Sequence, residues 1–245
     1  MMKPKMILFD YGQTLVDEEG FDGVRGTEAV LQYAVQNKYN KTAAEIQAVA
    51  DEINDELGRF DPKRKHLLQT EVSNRMFDGY LYESQGIELS ISGAELDKVF
   101  WDAAAPGKAT EGVVEFLAYL KAQGIRTGVI SNIGYCGEAV KNRIDACVPG
   151  HVFEFVIATS EYLFRKPNPR IFQLALEKAD LQPGEVWYVG DQFACDIVGA
   201  QNAGMMPVWY VGACKNRDAC KRDGETKGVL TVTSWSEVQK VMEEK

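Results

Sequence analysis

Beyond Pro106-Gly107 the chain alternates short apolar runs with amphipathic stretches, and this alternation constrains the fold more than any other feature. The spacing predicts helices over 111–122, 137–145, 169–178, 194–203 and 236–243. Between them it predicts strands over 126–130, 155–158, 186–189, 207–211 and 229–232. Strands that alternate with helices imply a doubly wound parallel sheet, because a helical crossover is how neighbouring parallel strands are joined. One strand stands apart. Met6-Ile7-Leu8-Phe9 is a continuous apolar run, as a strand buried on both faces requires, and it ends at Asp10, just before the turn residue Gly12.

Residues 17–105 have a different character: strand signals vanish and helical ones take over. Thr42-Ala-Ala-Glu45 is a capping box, and Ile46, Val49, Ile53, Leu57 and Phe60 follow at helical spacing up to Pro62. An amphipathic stretch over 67–82 is stopped by Gly86, and Ser92-Gly-Ala-Glu95 caps a helix through Val99 and Trp101. With a helix over 24–35, four helices are expected, enough for a small bundle. The fold class is therefore α/β, with a core of residues 1–16 plus 106–245 and an inserted α-helical cap over 17–105. The insert leaves and returns beside the carboxyl end of the first strand. Open α/β sheets bind ligands there, and an insert at that place is positioned to act as a lid.

Composition narrows the function classes. Of 245 residues, 45% are apolar and 26% charged, enough to bury a core, which excludes a disordered chain. A net charge of −9 argues against nucleic acid and anionic membranes as partners, since binders of both rely on basic patches. No apolar run approaches the ~18 residues of a membrane span, and the N-terminal apolar run is too short for a signal peptide. Five scattered cysteines without a C-x-x-C pair, and only two histidines, predict a reduced, cytoplasmic protein without a zinc site.

Four features fall at strand ends: Asp10 in FDYGQTL, Ser131 in GVISN, Lys166 in RKPNPRIF, and the pair Asp191 and Asp196 in VGDQFACD. Taken singly, each reads as a turn, cap or solvated residue. Their order, each at the end of a separate strand, places all of them on one rim of a parallel sheet. That set suits phosphoryl transfer. A carboxylate nucleophile splits one hard step into two. Further carboxylates hold a hard cation such as Mg2+. A lysine offsets charge, and a serine hydroxyl with backbone N–H groups cradles phosphate oxygens.

These motifs make the chain resemble the haloacid-dehalogenase superfamily of hydrolases, in the form with a helical cap inserted after strand one. The resemblance runs from FDYGQTL through VISN and RKPNP to VGDQFACDIVGAQNAGM, nearly the whole chain. It implies a Rossmann-like core, Mg2+ dependence and, most often, phosphatase activity on a small phosphorylated metabolite. By position, Asp10 matches the nucleophile and Lys166 the catalytic lysine. Ser131, with Thr14 and Asn132, matches the substrate-binding side. Asp10, the backbone carbonyl of Gly12, Asp191 and Asp196 match the metal shell.

Gly12 departs from the pattern. Phosphatases of the superfamily usually carry a second Asp there, which protonates the leaving oxygen and then deprotonates the hydrolytic water. Losing a general acid/base costs about 10²–10⁴-fold. One reading is that the proton is unnecessary, as with an acyl phosphate, or comes from the cap, the substrate, Tyr11 or the run Asp17-Glu18-Glu19 (otherwise a solvated loop). Phosphonate cleavage by a cap lysine is a second reading. Haloacid cleavage is a third, ranked lower because both Asp191 and Asp196 are kept. Outside enzymes, a catalytically impaired member that binds a phosphorylated ligand stays open. Trp187, Tyr188, Trp209 and Tyr210 read as packing, Cys195 as a small buried residue, and Phe21, Arg25, Tyr80 and Tyr82 as cap core or cap lining. Lys215–Arg222 reads as a solvated loop.

Overall fold

The computed structural model describes residues 3–59, 70–213 and 229–244, so the basic stretch over 215–222 lies outside the described residues. In chain order the elements are β1 (Met6–Phe9), β2 (Val16–Glu18), α1 (Gly23–Leu31), β3 (Ala34–Asn37), α2 (Ala43–Leu57), α3 (Asn74–Ser84), β4 (Ile87–Leu89), α4 (Gly93–Ala104) and β5 (Gly107–Ala109). Then follow α5 (Val113–Ala122), β6 (Arg126–Ser131), α6 (Gly137–Cys147), β7 (Val156–Ala158), α7 (Pro169–Ala179), β8 (Val186–Gly190), α8 (Val198–Asn202), β9 (Met206–Tyr210), β10 (Leu230–Val232) and α9 (Trp235–Glu243).

Six strands form one sheet in the order β10-β9-β8-β1-β6-β7, every pairing parallel, as the alternation predicts. β1 lies between β6 and β8, with Phe9 level with Val129 and Val189. Asp10, Ser131, Gly190 and the segments that follow therefore emerge on one rim, where the strand order reverses. All four β1 side chains are fully buried. Ile7 and Phe9 face a core with Phe116, Val140 and Trp235, whereas Met6 and Leu8 face one with Phe172 and Tyr188. This is the period-2 division of a strand covered on both faces.

Between β2 and β5, helices α1–α4 surround a separate small core of Val30, Ile46, Ala50, Leu81, Tyr82 and Ile87. β2 and β5 pair antiparallel, so the chain leaves and re-enters the sheet region through a two-stranded ribbon.

The insert is not purely helical. Helical spacing predicts one helix over 24–35, but α1 ends at Leu31, and Ala34–Asn37 pairs antiparallel with Ile87–Leu89. Apolar periodicity reports only local order and cannot see a partner strand fifty positions on. Likewise α2 stops at Gly58, whose φ of 64° closes the helix before Pro62 is reached. The amphipathic stretch over 67–82 is a helix only from Asn74. Thr70 forms an isolated bridge to Phe164 instead, and 60–69 lie outside the described residues. The expected helix over 194–203 opens with a wide π turn, Phe193–Ile197, which carries Asp196. Such turns often mark functional sites.

Candidate active site

Lys166 lies at the centre of the rim, with its side chain 2% exposed. Its Nζ donates to Asp10 Oδ1 at 2.6 Å, Asp196 Oδ1 at 2.7 Å and the Tyr188 hydroxyl at 2.8 Å. All three of its hydrogens are thereby used. Burial alone would pull the ammonium's pKa down, but the charges of Asp10 and Asp196 outweigh it and hold Lys166 well above its ordinary value.

Each partner is fixed by its own element. The backbone N–H of Asp10 continues the β1–β8 ladder by donating to Val189 O at 2.8 Å, and the residue is 5% exposed. Asp196 is 1% exposed, and its second oxygen accepts from the Gln192 N–H at 2.8 Å, across the π turn. Tyr188 projects from β8, and its hydroxyl lies 3.2 Å from the Ile130 carbonyl. Lys166 itself is held from behind. Asn132 Nδ2 donates to its carbonyl at 2.8 Å, and Asn132 Oδ1 accepts from its N–H at 2.7 Å.

Oxygens of Asp10, Asp191 and Asp196 all come within 4.8 Å of one another. Asp191 Oδ1 is buried without a hydrogen-bond partner. Burial, then repulsion from Asp10 and Asp196, pushes the Asp191 carboxyl up to about 9. Burial, partly offset by Lys166, pushes Asp196 up to about 6. Three carboxyl groups share one ammonium, and burial together with their mutual repulsion opposes the ionisation of Asp191 and Asp196. A hard divalent cation on carboxylate oxygens fits this donor set, and the unpartnered Asp191 oxygen has the character of a ligand awaiting one.

Thr14 is fully buried, its Oγ1 without a partner, and its carbonyl accepts from Thr110 Oγ1 at 2.7 Å. Ser131 closes β6 and is 3% exposed, opposite Ala158. The turn from Asp10 to Thr14 is tight: Gln13 adopts φ 54°.

The structure thus brings Asp10, Lys166, Asp191 and Asp196 into one cluster and sets Thr14 and Ser131 on the same rim. Asn132 grips the Lys166 backbone through both ends of its amide. Tyr188 was missed by sequence reasoning, since an aromatic in a buried strand reads as packing; only its hydroxyl, three residues before Asp191, hints otherwise. Arg25 proves to be structural, donating from Nε to Ala103 O at 2.5 Å, and Tyr80 is 64% exposed.

Known proteins match this chain over most of its length. The family described as haloacid dehalogenase-like hydrolase matches residues 4–204. A glyceraldehyde 3-phosphate phosphatase of Methanothermobacter thermautotrophicus is 28% identical over 241 residues, 98% of each chain. The human N-acylneuraminate-9-phosphatase is 27% identical over 215 residues, 85% of this chain and 83% of that one. Among solved structures, a 2-haloacid dehalogenase from Pseudomonas syringae superposes with a TM-score of 0.63 at 21% identity, covering 98% of this chain and 99% of that one.

Proposed function

The chain belongs to the haloacid dehalogenase-like hydrolase family, and we propose that within it this protein is a phosphatase of small phosphorylated metabolites. Asp10 is the nucleophile. Its Oδ1 accepts from Lys166 Nζ at 2.6 Å, a contact that aims the carboxylate from the end of β1. Attack on phosphorus breaks the ester bond and leaves an aspartyl phosphate, which water then cleaves to release phosphate and regenerate Asp10. Lys166 offsets negative charge on the transferring group, and Ser131 with Thr14 faces its oxygens. Asp10, Asp191, Asp196 and the Gly12 carbonyl are the groups that would hold Mg2+, which when bound supplies the positive charge the cluster lacks.

The observation that carries this reading is the unpartnered Asp191 oxygen beside two further carboxylates. Haloacid cleavage transfers no phosphoryl group and has no use for such a surplus of acid. Two full-length or nearly full-length relatives named as phosphatases support the same choice. A cavity of about 180 Å³ is lined by Asn54, Arg59 and Asn74 from the insert and Gly134 and Tyr135 from the loop after β6. The insert would shut bulk water out and select the substrate.

The test is turnover of p-nitrophenyl phosphate, acetyl phosphate and a panel of sugar and triose phosphates with Mg2+. Hydrolysis of at least one supports the reading. No turnover on any, with phosphate compounds still raising the melting temperature, would favour a ligand-binding role instead.

A further inference from the structure

The Tyr188 ring is accounted for by packing, but its hydroxyl is not. Tyr188 lies in β8, level with Leu8 of β1, and is fully buried. Its ring meets Phe172 edge to face, with centroids 5.2 Å apart, and Phe172 belongs to α7, the helix that begins three residues after Lys166. A phenylalanine would fill the same space and spare the cost of taking an oxygen out of water.

That oxygen is engaged on both sides. It accepts from Lys166 Nζ at 2.8 Å. Its single hydrogen is shared between the Ile130 carbonyl at 3.2 Å and Asp196 Oδ1 at 3.3 Å. Ile130 directly precedes Ser131 on β6, so a main-chain oxygen at the end of that strand anchors the hydroxyl. The other two hydrogens of Lys166 go to Asp10 Oδ1 at 2.6 Å and Asp196 Oδ1 at 2.7 Å. With two acceptors an ammonium can still tilt about the line that joins them; a third acceptor stops the tilt. Without the hydroxyl, the released N–H would turn toward one of the two carboxylates and draw the ammonium with it. A displacement of about 1 Å at a reacting centre costs about 10²-fold.

We propose that Tyr188 is a positioning residue of this enzyme: its hydroxyl, anchored on the Ile130 carbonyl, holds the third hydrogen of Lys166 and keeps the ammonium balanced between Asp10 and Asp196. The proposal rests on the phosphatase reading. Tyr188 exchanges no proton and touches no substrate. It acts through Lys166, whose ammonium stays in place while the bond from Asp10 to phosphorus forms.

The experiment measures kcat and KM for p-nitrophenyl phosphate and acetyl phosphate, with Mg2+, in three variants. Tyr188→Phe keeps the ring and removes only the hydroxyl; it should lower kcat about 10–100-fold and leave KM within about twofold. Phe172→Leu removes the ring's partner and keeps the hydroxyl; it should lower the melting temperature but leave kcat within about threefold. Lys166→Met removes the ammonium, and adding Tyr188→Phe to it should cost less than about twofold more, because a residue that acts through Lys166 then has nothing left to place. In the wild type the Lys166 Nζ hydrogens should show nuclear Overhauser contacts to the Tyr188 ring, a measurement that needs no variant to fold. An unchanged kcat in Tyr188→Phe, equal losses in Phe172→Leu, a full further loss on the Lys166→Met background, or absence of those contacts would overturn the role of Tyr188 and leave the phosphatase reading standing. Absence of wild-type turnover on every phosphate compound would overturn both.

Discussion

Asn132 holds Lys166 by the backbone, its amide bonding the carbonyl at 2.8 Å and the N–H at 2.7 Å, so the ammonium is aimed by a residue 34 positions away. Both contacts are to main chain, which makes Asn132 a positioning residue in this structure. Asn132→Ala should lower kcat about 10–100-fold through displacement of Lys166, with KM changed little. It should also lower the melting temperature, since two partly buried backbone groups lose their partner. Steady-state kinetics check the split. A raised KM with kcat intact would return Asn132 to the substrate-binding role expected from sequence.

Asp10→Asn preserves shape and leaves the ladder bond from its backbone N–H to Val189 in place. The variant should fold normally, by circular dichroism and thermal melt, while turnover falls at least about 10³-fold. Activity within tenfold of wild type would remove Asp10 from the role of nucleophile.

The parallel sheet was legible because strand and helix signals are local: four apolar residues on β1, capping boxes, stop glycines. The cluster was legible in part because parallel strands deliver their ends to one rim, so Asp10 after β1 and Asp191 after β8 had to be neighbours; Lys166 is not at a strand end but enters from the loop before α7, and Asp196 from the π turn. What escaped depends on contacts through space. The β3–β4 pairing read as helix because Val35 continues the apolar spacing of α1. Tyr188 and Asn132 exchange the roles their positions suggest: the aromatic reaches Lys166 with its hydroxyl, and the amide next to Ser131 turns to the main chain. Glu18 sits in the run Asp17-Glu18-Glu19, which reads as a solvated loop until pairing with β5 turns it inward.

The crowded carboxylates make stability depend on pH in a definite direction. An unfolded chain releases the Asp191 proton near 3.8, but the folded, cation-free protein holds it to about 9. The folded state therefore binds the extra proton across this window, and stability falls as pH rises from about 4 to 9; below both values the penalty is absent. Asp196, raised to about 6, adds to the lower part of that fall. Asp191→Asn should flatten the slope and stabilise the cation-free protein at pH 8 by on the order of 1–3 kcal/mol. Millimolar Mg2+ should raise the melting temperature of the wild type at pH 8 and leave that of Asp191→Asn nearly unchanged. Thermal unfolding at pH 5 and pH 8, with Mg2+ or with EDTA, decides it. A wild-type slope of the opposite sign would mean that the three acids do not repel one another as described.

Glu71 ties the insert to the segment that carries Lys166. Its side chain is 2% exposed, its Oε1 lies 3.5 Å from Arg165 and 3.7 Å from Arg59, and its Oε2 accepts from Thr159 at 3.0 Å. The main chain reinforces the joint, with Glu71 N–H donating to Leu163 O at 2.8 Å and Asn74 N–H to Gly134 O at 2.8 Å. Glu71→Gln keeps the shape but leaves two arginines facing each other without the shared anion. Arg59 is already below its ordinary range from burial, and Arg165 opposes its charge further. The substitution should cost about 1–3 kcal/mol, less than a wholly buried pair because Arg165 is partly solvated. It should also raise KM by loosening the insert over the site. Adding Arg165→Gln should return part of the stability, giving a coupling of about 1 kcal/mol in a double-mutant cycle. Additive losses would show that the charge of Glu71 does not hold the two parts together and that the backbone bonds to Leu163 and Gly134 suffice.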